Sequence, residues 1–524
     1  MTEGHSQPTV RPDAQSTDPA TLQPNILLIV TDQHQYAAAG PAAGGWSPRL
    51  EKLACEGAWF RRGYTVTVPC SPARASLFTG LYPHRHGMLN NCTMPFAVSP
   101  DVRPDCHAWG QRLMDAGYRT RYVGKWHAGV ARGPVDYGFD IAERPFDADA
   151  YRQREGIPSA PRKEADIWHF TDVGGRAWPL YGRTPGPPDA SPTAMQAAAT
   201  MEVLRDLVQE SSPPAGGSGG AGPTESLRPW CIWTNFTGPH EPYAVPEPYA
   251  SMFDPHTVPL PASFHDLCED KPAYVRRTRQ SWFGQITEEH ARRAIAHYRG
   301  YCAMIDHYVG TILDVLEQSG QADNTLVVFT TDHADMLGAH GLWFKDAYGY
   351  EESHHVPLLL RWPAAIRAGT VIDAYARTLD LGPTFLEAAG AAPLDPCHGT
   401  SLLPLLRGES GADQAPERRE LFLEEHGNFF NFTLRAVADG RHKLVWNAYD
   451  FDELYDLEDD PHERRNLARD PAHAQTYQRM CDLLWTWMAR VDDPYASDRF
   501  GASVVLPRGV SGAPIAQGVT RLSQ

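Results

Sequence analysis

The feature that most constrains the fold is a series of short apolar runs that alternate with helical patterns. The runs lie at 25–30, 121–123, 231–234, 326–329 and 357–360. Continuous runs of this kind are typical of strands buried on both faces, as in parallel sheets. The clearest helical pattern covers 288–318, where apolar residues are spaced alternately by three and four. The sequence therefore predicts an α/β fold with a large, mainly parallel sheet sandwiched by helices.

Polar and ionisable residues follow four of these runs directly. They are Asp32 and Gln33, Lys125 and His127, His240, and Asp332 and His333. The carboxyl ends of parallel strands meet at one edge of the sheet, where α/β proteins carry their sites, so we expect these side chains to converge. Taken alone, an Asp-Gln or Asp-His pair is more often a cap or a turn. Together, oxygen ligands with one imidazole suit Ca²⁺, Mg²⁺ or Mn²⁺ better than a structural zinc ion.

One cysteine lies where a helix is expected to begin. Residues 68–74 read Val-Pro-Cys-Ser-Pro-Ala-Arg, and Pro72 fits a first helical turn because it has no N–H and a suitable φ. Cys70 would then lie at a helix N-terminus, where unpaired N–H groups and the helix dipole favour negative charge. Arg74, one turn on, projects to the same point. The segment therefore predicts a place where an anionic nucleophile or substrate is stabilised.

The pattern Cys-x-Pro-x-Arg at Cys70, Pro72 and Arg74 resembles the core of the sulfatase signature. In that family the cysteine is oxidised after translation to formylglycine (3-oxoalanine), whose hydrated aldehyde is the nucleophile. Further blocks resemble family motifs and come in the family's order, namely Gly-Lys-Trp-His at 124–127, Gly-Pro-His at 238–240 and Leu-Tyr-Asp-Leu at 454–457. The resemblance spans about 25–493 and implies an alkaline-phosphatase-like fold.

The resemblance implies how a metal ion and the sulfuryl group would be held. The residues that would bind one divalent ion, Ca²⁺ first and Mn²⁺ or Mg²⁺ otherwise, with the modified Cys70 completing the shell, are Asp32, Gln33, Asp332 and His333. The residues that would neutralise the sulfuryl oxygens are Arg74, Lys125 and Lys345. Gln33 and His333 look more like the choline-sulfatase and phosphonate-monoester-hydrolase branches than the commoner family set.

Three further residues receive roles from the same resemblance. His240 would bind substrate and protonate the leaving group, and His127 would take the proton that lets the covalent intermediate collapse. Asn91 would contact the substrate, with Asn90 as a competing candidate.

The resemblance implies hydrolysis of a sulfate monoester of a small molecule or saccharide, after maturation by a formylglycine-generating enzyme. Two alternatives stay open. One is a phosphonate monoester or phosphate diester hydrolase on the same scaffold. The other is a non-catalytic, metal-stabilised binding protein whose Cys70 is never modified. A homo-oligomer is possible.

Composition narrows the partners and the compartment. The formal net charge of −17 over 524 residues argues against nucleic acid or an anionic membrane as partner. No apolar run approaches the roughly 20 residues of a membrane helix, and the polar N-terminus has no apolar signal-peptide core. Nine scattered cysteines without a Cys-x-x-Cys motif predict reduced thiols. A cytoplasmic protein is therefore expected.

The chain divides into four predicted parts. A disordered segment covers 1–23, a catalytic domain 24–412, a smaller C-terminal α+β subdomain 413–493 and a tail 494–524. The Gly-, Pro- and Ser-rich stretch 211–226 predicts a flexible loop within the catalytic domain. In the subdomain, strand patterns at 421–423, 433–437 and 442–446 precede a helix predicted over 475–491.

Overall fold

The computed structural model describes residues 23–141, 148–157, 166–210, 228–428 and 431–497. Its strands are β1 Asn25–Asp32, β2 Ala58–Phe60, β3 Gly63–Tyr64, β4 Arg119–Gly124, β5 Asp140–Ile141, β6 Asp166–Thr171, β7 Ala177–Arg183, β8 Trp230–Pro239, β9 Tyr243–Val245, β10 Thr325–Thr331, β11 Leu359–Arg361, β12 Thr370–Ile372, β13 Ala376–Arg377, β14 Leu421–Glu425, β15 Leu434–Ala438, β16 His442–Asn447 and β17 Glu453–Asp456. Its α-helices are α1 Pro48–Cys55, α2 Cys70–Thr79, α3 Pro83–His86, α4 Trp109–Asp115, α5 Ala148–Arg154, α6 Pro192–Glu210, α7 Ala273–Ser281, α8 Glu288–Gln318, α9 Glu351–His354, α10 Leu381–Ala389, α11 Leu403–Leu406, α12 Pro416–Arg419, α13 Ala474–Arg490 and α14 Pro494–Ser497. The predicted disordered segment up to residue 22, the predicted loop 211–226 and the tail from 498 lie outside the described residues.

The central sheet has eight strands in the order β12-β2-β11-β10-β1-β8-β4-β5. The five strands from β10 to β5 run parallel to their neighbours, which confirms the predicted fold class. The apolar run at 357–360 predicts another parallel strand, and this prediction is wrong. It contributes to β11, which is antiparallel to both β10 and β2. An apolar run reports burial on both faces but carries no information about strand direction.

Helices cover both faces of this sheet, as its alternating side chains require. Ile26, Leu28 and Val30 of β1 point into a core formed with α2, α4 and α10. Leu27 and Ile29 point into the opposite core, formed with α1, α6 and α8. Helix α8 covers Glu288–Gln318, the range over which the apolar pattern predicts a helix. The packing confirms a sheet sandwiched between two helical layers.

The register of the central strands aligns their carboxyl ends. Val30 of β1 pairs with Thr330 of β10 and with Asn235 of β8. Asn235 also pairs with Gly124 of β4. The residues that follow these four strands therefore leave the sheet at the same level, which explains why they can form one site.

The C-terminal region forms a smaller α+β unit. Strands β14 to β17 make an antiparallel sheet in sequence order, and α13 packs Met480 and Trp487 against Phe422 and Trp446. The three predicted strands and the helix are present. The fourth strand, β17, occupies a segment identified above only by its family motif.

Two further predictions concern the chain as a whole. All nine cysteines are unpaired, and seven are buried, as expected of reduced thiols. Within the described ranges, every helix is too short or too polar to cross a membrane. The domain boundaries and the cytoplasmic location stay predictions.

Candidate active site

Cys70 is the first residue of α2, the helix that the sequence placed near this point. Pro69 precedes the helix in an extended conformation, and all of α2 is buried. The Cys70 Sγ lies 3.1 Å from Nε2 of His333 and 3.9 Å from Oδ1 of Asp32. The nucleophile candidate therefore sits at a helix N-terminus, between the ends of β1 and β10.

Arg74 joins the same two strand ends from one turn further along α2. Its Nε donates to Oδ2 of Asp332 at 2.9 Å, and its Nη2 donates to Oδ2 of Asp32 at 3.1 Å. Its Nη1 donates to Oδ1 of Asn235 at 2.9 Å. All four side chains are buried. Arg74 thus fixes the separation of two carboxylates that the sequence placed 300 positions apart.

The buried donor set of this site fits a divalent ion. Asp32, Cys70, Asp332 and His333 each offer one ligand atom, and these atoms lie within 4.8 Å of one another. His333 donates from Nδ1 to the carbonyl of Ala334 at 2.9 Å, which leaves Nε2 free to act as a ligand. Burial and the neighbouring Asp32 carboxylate raise the pKa of Asp332, as expected for two carboxylates that lie close together. Oxygen-rich ligands with one imidazole suit a hard or borderline ion.

Gln33 follows Asp32 with a positive φ of 70°, and its side chain turns towards a second group of residues. Its Oε1 accepts from Nζ of Lys345 at 2.5 Å. Its Nε2 donates to Oε2 of Glu241 at 2.7 Å and to Oδ2 of Asp335 at 2.5 Å. The structure therefore places Gln33 beside the predicted metal cluster, with its amide oxygen on Lys345.

Two lysines make the surroundings of Cys70 positive. Lys125, after β4, donates to Oδ2 of Asp32 at 2.5 Å, and Lys345 is buried and donates to Oε1 of Gln33 at 2.5 Å. Burial opposes ionisation of the Cys70 thiol, but its pKa is held well below the usual value by Lys125, Lys345 and His333. The site thus stabilises negative charge at Cys70 and at any anion bound there.

His240 follows β8 and lies against the second lysine. Its Nε2 is 2.6 Å from Nζ of Lys345, and its Nδ1 is 2.8 Å from the carbonyl oxygen of Glu241 and 3.2 Å from the carboxylate of the same residue. Burial favours the neutral imidazole and has the largest single effect, but the Glu241 and Asp32 carboxylates and a hydrogen bond with Cys70 together raise the pKa of His240. A raised pKa favours the protonated imidazole that a general acid requires.

His127 and Asn91 complete the predicted set. The His127 Nε2 lies 3.3 Å from Oγ1 of Thr93, and a hydrogen bond from His127 contributes to the lowered pKa of Cys70. Asn91 uses its amide oxygen to accept from the N–H of Ser71 at 2.9 Å. The structure therefore places the Asn91 side chain against the backbone N–H that follows Cys70, and its substrate contact stays a prediction.

Comparison with known proteins decides the family. Residues 24–391 match the family model described as Sulfatase. The chain belongs to the sulfatase family. Residues 338–490 also match the model described as N-sulphoglucosamine sulphohydrolase, C-terminal.

Individual relatives of this sulfatase agree with the family model. It is 30% identical over 465 residues to a choline-sulfatase of Rhizobium meliloti, covering 86% of this chain and 83% of the relative. It is 24% identical over 535 residues to an N-acetylglucosamine-6-O-sulfatase of Bacteroides thetaiotaomicron, covering 88% and 86%. The solved structure of the phosphonate monoester hydrolase of Agrobacterium radiobacter superposes with a TM-score of 0.72 at 26% identity, covering 89% and 96%. The family model and the two sulfatase relatives show that the chain is a sulfuric ester hydrolase.

Three polar residues of the sulfatase site were missed by the sequence analysis. Glu241 and Asp335 hold Gln33, and Asn235 holds Arg74. Glu241 directly follows His240, and Asp335 comes two residues after His333, so adjacency was an available signal for both. Asn235 lies inside an apolar strand, where only the register of β8 against β1 shows its position.

Proposed function

We propose that this sulfatase hydrolyses a sulfate monoester of a small molecule or saccharide, with an oxidised Cys70 as the source of the nucleophile. The observation that carries the proposal is the position of Cys70. Its sulfur lies at a buried helix N-terminus, 3.1 Å from His333, and the surrounding cations lower its pKa. Oxidation by a formylglycine-generating enzyme would convert the Cys70 side chain to an aldehyde with loss of its sulfur, and addition of water to that aldehyde would supply a nucleophilic hydroxyl at this point.

A divalent ion, Ca²⁺ first and Mn²⁺ or Mg²⁺ otherwise, would be held by Asp32, Asp332 and His333, with Gln33 as a further predicted ligand. When bound, it supplies positive charge for the sulfuryl oxygens.

The cationic side chains of the chain bind and orient the sulfuryl group. Lys125, which follows β4, and Lys345, in the connection between β10 and β11, both act on Cys70 and neutralise the charge on the sulfuryl oxygens, while Arg74 keeps the two aspartates in place. Such charges act strongly here because the side chains that carry them are largely withdrawn from water. Their fixed hydrogen bonds mean that little reorganisation is needed during reaction.

Two histidines move the protons. His240, whose pKa is raised by Glu241, donates a proton to the oxygen of the departing alcohol. His127, which lies within hydrogen-bonding reach of Cys70, accepts a proton from the nucleophile side. These two roles are the ones that the family resemblance implies for His240, which follows β8, and for His127, which follows β4.

A second candidate activity is phosphonate monoester hydrolysis, favoured by the structural similarity to the Agrobacterium radiobacter hydrolase. The choline-sulfatase and N-acetylglucosamine-6-O-sulfatase relatives favour sulfate esters of an amino alcohol or of an amino sugar.

Steady-state rates of the converted enzyme on an aryl sulfate, choline sulfate, glucosamine 6-sulfate and a phenyl phosphonate monoester test the proposal. We expect the highest kcat/KM on a sulfate ester. A higher kcat/KM on the phosphonate would select the second candidate, and no turnover of any ester by converted enzyme would refute both.

A further inference from the structure

A short segment after β14 of the C-terminal region contacts Asn90 and Asn91. At the end of β14, the N–H of Glu424 donates to the carbonyl of Val66 at 2.9 Å. Val66 lies four residues before Cys70 in the chain. Asn90 then holds the segment, because its Nδ2 donates to the carbonyls of His426 at 3.1 Å and Gly427 at 2.8 Å. These contacts fix the place of the next residue, Asn428.

Asn428 is one member of a buried chain of hydrogen bonds that ends at the nucleophile. Its N–H donates to Oδ1 of Asp346 at 2.7 Å, beside Lys345. Its Oδ1 accepts from Nδ2 of Asn91 at 2.8 Å, and Oδ1 of Asn91 accepts from the N–H of Ser71 at 2.9 Å. Asn91 is 6% exposed and Asn428 is 2% exposed. The chain therefore has little access to water that could replace a lost partner.

The direction of each bond in this chain matters. The N–H of Ser71 belongs to the peptide bond that joins it to Cys70, and it needs an acceptor. Asn91 presents its oxygen there only while its NH₂ group points the other way, towards an acceptor. Asn428 supplies that acceptor, so it selects the orientation of the Asn91 amide.

We propose that Asn428 is a positioning residue, which acts through Asn91 on the Cys70–Ser71 peptide bond and so on the direction of the nucleophile. This rests on the proposed function, in which the Cys70 side chain attacks sulfur. Through Asp346 the same chain also links the nucleophile to the segment of Lys345. The C-terminal region thus contributes to the geometry of a site whose reacting groups come from the central sheet.

A double-mutant cycle tests the coupling. Asn428→Ala should lower kcat/KM roughly 10- to 100-fold, because small displacements of reacting groups have effects of this size. In an Asn91→Ala background the same substitution should change kcat/KM by less than about twofold, since the side-chain hydrogen bond that joins Asn428 to Asn91 has already been removed. Equal losses in both backgrounds, or no loss in the parent enzyme, would overturn the proposal.

Asn447 is the matched control, because it is an asparagine of the same region that is also 2% exposed. Its Nδ2 donates to Phe451 and Glu453, away from the chain described above. Asn447→Ala should leave kcat/KM unchanged whatever it does to stability. A loss equal to that of Asn428→Ala would mean that general loosening, not positioning, explains the effect, and would also overturn the proposal.

A second pair of variants covers the case in which Asn428→Ala does not fold. Asn428→Asp keeps an acceptor for Asn91, so its kcat/KM should stay within about threefold of the parent value. Asn428→Leu has a similar size but offers no acceptor, so its kcat/KM should fall by more than that. Equal activity in the two would contradict the proposal. Rates are expressed per converted Cys70. Failure of the proposed function would appear in the parent enzyme as turnover without conversion, while failure of the positioning role would appear only in the variants.

Discussion

The Cys70 sulfur and Nε2 of His333 lie 3.1 Å apart, although 263 positions separate the two residues in the chain. The contact exists because α2 begins at the carboxyl edge of the sheet, where β10 ends. Asp32 and Asp332 close the same space from two adjacent parallel strands. The register of β1 and β10 and the start of α2 thus bring the candidate nucleophile and the candidate metal ligands together.

Metal content should depend on Asp332. We expect one divalent ion per chain by elemental analysis, and loss of activity on chelation that is restored by Ca²⁺, Mn²⁺ or Mg²⁺. Loss of a residue that only hydrogen-bonds to a metal ligand weakens metal binding roughly 10- to 100-fold. Asp332 is itself a predicted ligand, so Asp332→Asn should weaken binding by more than this. Asp266→Asn alters another carboxylate that pairs with a buried histidine, His340, and should keep the ion. An Asp332→Asn protein with full metal content would contradict the assignment.

His240 should matter most for poor leaving groups. A general acid contributes about 10²- to 10⁴-fold, so His240→Ala should lose a factor of this size on an alkyl sulfate. On nitrophenyl sulfate, whose leaving group needs little protonation, it should lose much less. His290→Ala removes a histidine of α8 outside the site and should affect neither substrate. Equal losses on the two esters in His240→Ala would show that His240 does not protonate the leaving group.

His86 should make the protein sensitive to acid. It is fully buried, and burial lowers the pKa of its imidazole to about 3, while Nε2 is bonded to Oγ of Ser76 at 3.0 Å. The unfolded chain takes up a proton near pH 6.5 and the folded one does not. Its contribution to stability is therefore present above pH 6.5 and is lost as the pH falls from there towards 3.

The expected change in the free energy of unfolding follows from the same lowered pKa of His86. Between pH 7 and pH 5 the loss from His86 is about 2 kcal/mol. Urea unfolding of His86→Gln should show a decline in the free energy of unfolding that is smaller by about this amount over the same interval. His84→Gln is a suitable comparison, because Glu424 raises the pKa of His84 against the effect of burial. Identical pH profiles for His86→Gln and the parent would exclude this role of His86.

Much of the site could be predicted because its residues follow recognisable strands. Asp32, Lys125, His240 and Asp332 each come directly after a run whose apolar character marks a buried strand, and parallel packing brings such ends together. What could not be predicted depends on neighbours distant in the chain. The direction of β11 is one case, since an apolar run is compatible with a parallel or an antiparallel strand.

Contacts made by side chains were the least predictable feature. Asn428 lies 337 positions from Asn91, and its segment has no pattern that points towards the nucleophile. The role of Gln33 is similar, because the positive φ that turns its amide towards Lys345 cannot be derived from its place after Asp32. Residue type and strand order predicted which groups meet, whereas hydrogen-bond partners required the folded structure.

The most direct test of the account measures conversion and activity of Cys70 together. The protein is produced with and without a formylglycine-generating enzyme, and the mass of the Cys70 peptide is compared with kcat on an aryl sulfate, with Cys70→Ala as control. We expect kcat to rise in proportion to the fraction of the Cys70 peptide that has the lower mass of the aldehyde form. Cys70→Ala should be folded but inactive. Full activity in a preparation whose peptide contains only cysteine would contradict it.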